Sequence, residues 1–176
     1  EHTKNLGMQA LLEVTGILNQ KLTPYHIGFV LGPCLNATGR LDTAERAVAL
    51  FQSKTKQEAI AIALELKQLN DSRKKMTQDA LEEAITMISE SDLNEDRVLV
   101  VLLNHCHESL AGIIAGRLRE KYYKPVFVLT TTEDGVKGSG RSIDSYSMYE
   151  NMTKVKELFT KYGGHKLAAG LSMKEE

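Results

Sequence analysis

Residues 97–131 read RVLVVLLNHCHESLAGIIAGRLREKYYKPVFVLTT, and their periodicity changes twice along the way. Val98–Leu103 is a continuous apolar run of strand length, the pattern of a strand covered on both faces. From Leu110 the spacing becomes helical through Ile113, Ile114, Leu118 and Tyr122, while Ala111, Gly112, Ala115 and Gly116 keep the surface between them small enough for close packing. Pro125 then opens a second apolar strand, Val126–Thr131. Strand, helix, strand predicts a sheet with a helix laid on it.

Downstream, Asp134-Gly135 predicts a turn into a glycine-interrupted strand from Val136 to about Ile143. Ser147 and Glu150 form a capping box, with Met148, Met152, Val155, Phe159 and Tyr162 on one helical face and Gly163 placed to end that helix in the left-handed conformation. Ala168–Met173 closes the sheet, so residues 91–176 form an α/β domain. Upstream, Thr55 and Glu58 form a second capping box. Apolar residues then recur at Ala59, Ile62, Ala63, Leu66, Leu69, Met76, Ala80, Ala84, Met87 and Ile88. One helix over residues 55–90, with a kink near Asn70–Ser72, would run roughly 50 Å. That is long against the ~16 Å radius of a chain this size, as for a helix joining two bodies. Residues 1–54 would be the first body. It is read as a helix carrying Leu11, Leu12 and Leu18, a segment Ile27–Leu31 stopped by Gly32-Pro33, and a loop from Cys34 to Leu41. A short helix follows, buried along Ala44, Ala47, Val48 and Phe51.

The 176 residues are 42% hydrophobic and 26% charged, which excludes collagen-like, low-complexity and disordered classes. No apolar run approaches the ~20 residues of a membrane helix, so no membrane partner is expected. The formal net charge of −1 does not advertise nucleic acid, but Ala115–Gly170 holds ten basic and six acidic residues, a local +4 that admits an anionic partner. Cys34 and Cys106 lie far apart, form no CxxC and follow no leader, which predicts reduced thiols and a cytoplasmic location. Glu1 in place of Met predicts a piece of a longer protein.

Gly138-Ser139-Gly140-Arg141-Ser142 is the first candidate for chemistry. Glycines let backbone N–H groups approach an anion, and Ser139, Arg141 and Ser142 add donors, among them a guanidinium fork that suits two phosphate oxygens. A strand whose glycines admit a packed neighbour fits the same letters. A nucleotide phosphate loop fits poorly, because Arg141 stands where lysine is needed and no helix follows Ser142. Gly163-Gly164-His165 would leave a histidine at the mouth of a strand, able to donate to a phosphate oxygen or to charge developing on it. Asn36-Ala-Thr-Gly39-Arg40 offers an amide and a guanidinium four residues apart, although such loops are commonly plain turns. His105-Cys106-His107-Glu108 contains metal-ligand types without a third partner at ligand spacing, so no metal site is assigned. Arg73-Lys74-Lys75 reads as a solvated helix face.

Four motifs taken together resemble the single-strand-specific exonucleases of the DHH phosphoesterase superfamily. They are Gly32-Pro33-x-x-Asn36-Ala37-x-Gly39-Arg40-Leu41; His107-Glu108-x-x-x-Gly112-Ile113 with Arg117-Leu118 and Pro125-Val126; Gly138-Ser139-Gly140-Arg141-Ser142; and Gly163-Gly164-His165-x-x-Ala168-Ala169-Gly170. The resemblance covers residues 25–172; Cys106 and Ser109 depart from it, standing where tryptophan and glycine are common. It implies the end of a catalytic DHH domain at 1–54, a linking helix, and a mixed-sheet DHH-associated domain. It further implies 5′ to 3′ hydrolysis of single-stranded DNA by a two-metal mechanism, with Mn2+ or Mg2+ held by residues outside this chain. Gly138, Ser139, Gly140, Arg141, Ser142, Gly163 and Gly164 would hold substrate phosphate, His165 would contact the phosphate under attack, and Asn36, Arg40 and His107 would line an interdomain cleft. Repair and recombination proteins are implied as partners, and the fragment alone would be inactive. A short-oligonucleotide phosphodiesterase and a non-catalytic nucleic-acid-binding module are the alternatives.

Overall fold

A computed structural model describes residues 3–175. They form two compact units divided between Lys75 and Met76, inside one continuous helix.

The first unit is helical. Helix α1 (Leu6–Val14) is capped by Asn5, whose side chain accepts from the amide of Met8. It ends before Leu18, which packs against the core from outside the helix. Where a stop at Gly32-Pro33 and a loop at 34–41 were expected, the backbone stays helical from α2 (Pro24–His26) through a π-helical turn (Ile27–Leu31) into α3 (Gly32–Leu41). The π turn supplies the reason. Gly32 donates its amide to Ile27 five residues back, and a Cβ on Gly32 would lie 2.9 Å from that oxygen. Pro33, in the first turn of α3, needs no amide partner of its own. Helix α4 (Glu45–Gln52) turns a different stripe inward from the one expected: Leu50 is fully buried, whereas Val48 is 53% exposed.

Helix α5 (Lys56–Ser89) has 34 residues and runs unbroken through Asn70–Ser72. Its buried stripe is Ala59, Ala63, Leu66 and Asn70 in the first unit and Thr77, Ala80, Ala84 and Ile88 in the second. Within each unit the spacing of three and four is that of a helix face. Asn70 keeps its polar head paired, donating to Cys34 Sγ and accepting from the Arg73 guanidinium at 2.9 Å. Met76 and Met87 lie outside the stripe and are exposed.

The second unit is a five-stranded mixed sheet, in order β1-β2-β3-β5-β4. Strand β1 (Leu99–Leu102) runs parallel to β2 (Val126–Thr132), and α6 (Glu108–Tyr122) connects them. Strands β3 (Gly135–Arg141) and β5 (Ala168–Met173) extend the sheet antiparallel. Leu99, Val101, Val126 and Val128 meet α6 and the end of α5 on one face. Phe127, Met148, Met152, Ala169 and Leu171 form the core of the other. Strand β1 is an edge strand and is covered on one side only, with Val100 47% and Leu102 40% exposed.

The predicted helix over 148–162 is mostly absent. Helix α7 covers Met148–Lys154, and Val155, at φ −124°, leaves the helical region. A short 3-10 turn follows, and Lys161–Gly164 become a fifth strand, β4, paired with β5. Gly163 therefore sits in a strand and ends no helix. The positive φ (154°) is at Gly164, where a Cβ would lie 2.4 Å from the carbonyl oxygen of Ala168.

Candidate functional site

Two-residue alternation along β3 sends its side chains to opposite faces of the sheet. Lys137, Ser139 and Arg141 are in register with Thr130, Val128 and Val126, on the side covered by α6. Gly138 and Gly140 oppose Leu129 and Phe127, on the side of α7. A Cβ at Gly138 would lie 2.4 Å from Leu129 Cδ2; one at Gly140 would lie 2.6 Å from Met148 Sδ and 2.8 Å from Phe127. These two glycines serve close packing, and the donors alternating with them face the other way.

Register carries the pattern across the sheet. Lys137 pairs with Ser172 and Ser172 with Lys161; Ser139 pairs with Gly170 and Gly170 with Gly163. Arg141 pairs with Ala168, whose carbonyl accepts the His165 amide at 2.7 Å. The α6-side face of β3-β5-β4 therefore carries two full rungs, Lys137–Ser172–Lys161 and Ser139–Gly170–Gly163, and then the pair Arg141–Ala168, which His165, one residue past β4, joins through its backbone amide. Successive rungs lie about 7 Å apart, and the two outer strands about 10 Å apart. Lys137, Lys161 and Arg141 stand around a floor made of Ser, Gly and Ala. Arg141 and His165, drawn from two separate motifs, are thus tied to one another through the backbone of Ala168.

Helix α6 walls the face on one side. Gly112 brings it close: a Cβ there would lie 2.8 Å from the Arg141 guanidinium and 3.5 Å from Ser139 Oγ. Arg141 itself donates to the carbonyl of Gly140 at 2.7 Å, which bends its head back over the strand. A cleft of about 510 Å3 opens between the start of α6 and the first two rungs. Glu108, Ser109, Lys137, Ser139, Lys161 and Gly163 line it. Glu108 bonds Lys137 at 2.6 Å, and that hydrogen bond, with the carboxylate charge, pushes the Lys137 pKa up and keeps the ammonium charged.

Ser142 is not part of this face. It is buried and donates to the carbonyl of Tyr146 at 2.7 Å, bracing the loop after β3. His165, Gly163 and Gly164 are exposed, at or next to the β4–β5 turn. His107 is the N-cap of α6: the Ser109 amide donates to its Nδ1 at 3.3 Å, and the Ser109 hydroxyl lies 2.7 Å from the same nitrogen. Asn36 and Arg40 belong to the other unit, one turn apart on the exposed side of α3, with Ala37 and Thr38 buried behind them.

Lys137 and Lys161 entered the sequence reading only in the count of charges. The signal that could have found them is the alternation Lys137, Ser139, Arg141; Lys161 needed the pairing of β4, a strand the sequence reading lacks. Cys106 is held as a thiol, its pKa pushed up to about 11 by burial and, to a lesser extent, by Glu83. Among the described residues no three His, Cys, Asp or Glu side chains gather as a metal site. No described helix is long and apolar enough to cross a membrane.

Residues 95–176 match the family model of the DHHA1 domain. Across 97% of its length the chain is 38% identical to the single-stranded-DNA-specific exonuclease RecJ of Escherichia coli (strain K12), of which it spans 31%. It is 34% identical to the RecJ of Bacillus subtilis (strain 168), spanning 22% of that protein. RecJ from Thermus thermophilus, crystallised with Mg2+, superposes with a TM-score of 0.85 at 30% identity, over 98% of this chain and 26% of that one. A manganese-bound exonuclease RecJ gives 0.84 at 30% identity, over 97% of this chain and 42% of that one.

Proposed function

We propose, from the match of residues 95–176 to the DHHA1 domain model, that the chain is the strand-gripping part of an exonuclease that hydrolyses single-stranded DNA from the 5′ end. The chain spans less than a third of the Escherichia coli relative, whose name gives that substrate. The observation that supports the reading is the face that carries Lys137, Ser139, Arg141 and Lys161. Three cations, Lys137, Lys161 and Arg141, around an uncharged floor suit a chain of phosphates, because each phosphate exchanges condensed counterions for a fixed cation and the flat floor lets the backbone lie close.

In this reading Arg141 uses its planar fork on one phosphate and Ser139 adds a neutral donor beside it. Lys137 and Lys161 hold the next phosphate along the strands, and His165, at the open turn, contacts the phosphate under attack. Asn36 and Arg40 present an amide and a guanidinium of the same kind from α3. Ser142, buried and engaged with Tyr146, takes no part.

The solved relatives hold Mg2+ or Mn2+. Such ions generate hydroxide at neutral pH and stabilise the leaving oxygen. The described residues do not fit a metal centre, so in this reading the ions bind to parts of the protein beyond this chain and no step is assigned to them here. The chain by itself should bind and not cut. Fluorescence anisotropy with a 5′-phosphorylated oligothymidylate tests the first statement: binding should weaken with salt at a log–log slope of about −2 to −3, as for three or four phosphate contacts. A slope near zero, or release of nucleotides by the pure chain in Mn2+, would overturn the reading.

A further inference from the structure

The cleft beside the first rung contains one feature that a phosphate grip does not need. Glu108 is the acidic side chain among the residues that line it, and it holds Lys137 at 2.6 Å. Lys161, at the other end of the same rung, has no ion pair among the described residues. The two lysines are therefore equivalent in position and different in state.

We propose that Glu108 stands in for a DNA phosphate, holding Lys137 over the cleft until a phosphate of the bound single strand takes its place and thereby setting the affinity of the grip. This rests on the nucleic-acid reading above and adds a residue that tunes it. Carboxylate and phosphodiester are both single negative charges whose oxygens accept a short bond from an ammonium, so one can replace the other at Lys137 without rearranging the strand. The side chains of the pair are 40% and 44% exposed, so its net strength is small and the exchange is easy. The released carboxylate also keeps a second partner: Glu108 is the first residue of α6, where the helix dipole favours a negative charge. A lysine held in this way is kept extended toward the cleft, and the acid beside it discriminates against ligands too weakly charged to displace it.

A double-mutant cycle on the present chain tests this, with the 5′-phosphorylated oligothymidylate as probe at 50 mM salt. Glu108→Gln keeps the shape of the side chain and should bind about 2- to 5-fold more tightly, the range set by an exposed ion pair. The gain should vanish in a Lys137→Ala background and persist in a Lys161→Ala background. Glu108→Ala should show the same coupling. Lys137→Ala should flatten the salt slope by about 0.7, the loss of one single-strand phosphate contact. Unchanged or weaker binding by Glu108→Gln overturns the proposal, as does a gain that survives without Lys137, which would mark simple repulsion between Glu108 and the strand. If wild type and Glu108→Gln both fail to bind, it is the nucleic-acid reading that falls.

Discussion

The two sides of strand β3 are built from the same seven residues and do opposite work. On one side Gly138 and Gly140 vanish beneath Leu129, Leu171, Met148 and Phe127, leaving no room for a methyl group. On the other, Lys137, Ser139 and Arg141 stand beside α6 and an open floor. A string that looks like one glycine-rich phosphate motif is thus two interleaved messages. Its glycines face the core under α7 and its polar residues face α6. Damage to one side should appear as lost stability, and damage to the other as lost binding.

The largest effect should come from the packed side. Gly140→Val forces branched carbons into a space where even a Cβ lies 2.6 Å from Met148 Sδ. Overpacking of this kind costs about 3 kcal/mol after the modest strand-propensity gain of valine. The midpoint of urea unfolding should fall accordingly, and an unchanged midpoint would mean that α7 does not pack where it is placed. Next in size is Arg141→Ala on the open side. Loss of a charge-assisted bond of about 1.5–2 kcal/mol predicts oligothymidylate affinity lower by about 10-fold or more and a flatter salt slope, with stability within ~0.5 kcal/mol of wild type.

Ser139 and Ser142 sharpen the contrast, being three residues apart in one motif. Ser142→Ala leaves a carbonyl of the 142–147 loop without its donor, so it should cost about 1 kcal/mol of stability and no affinity. Ser139→Ala should do the reverse, weakening the probe about 2- to 3-fold as one neutral hydrogen bond is lost, with the melting curve unmoved. Equal behaviour of the two serines in both measurements would erase the distinction between the faces.

How far this was legible beforehand follows from what kind of information each element needs. Helix α5, strand β2 and strand β5 announce themselves by local periodicity, and β5 was bounded to the residue. Helix α3 was missed because glycine followed by proline normally stops a helix, and only a π turn, invisible to a 3.6-residue pattern, carries the chain through. Strand β4 was missed because Met148, Met152, Val155, Phe159 and Tyr162 fit a helical face. Yet Phe159 and Tyr162 reach the same apolar cluster from an extended segment. The face covered by α6 was half legible. Ser139, Arg141 and His165 sit in motifs, but the register that sets Ser139 and Arg141 beside Lys137 and Lys161 exists only in the paired strands, and the bracing role of Ser142 shows only in its burial and its bond to Tyr146.

The smallest effect is the most pointed, because its two readouts should move in opposite directions. Gly112 lies inside α6, where replacing glycine by alanine ordinarily adds up to about 1 kcal/mol of helix stability. The new Cβ, however, would lie 2.8 Å from a terminal nitrogen of Arg141, the end of a flexible side chain that can swing away. The guanidinium yields, while the helix and the sheet stay in place. Gly112→Ala should therefore melt at the wild-type temperature or slightly above it and bind the oligothymidylate a few-fold more weakly. Combined with Arg141→Ala, it should weaken binding no further, since its effect passes through that one side chain. Lower stability with intact binding would mean that α6 touches the sheet backbone and that Arg141 lies elsewhere.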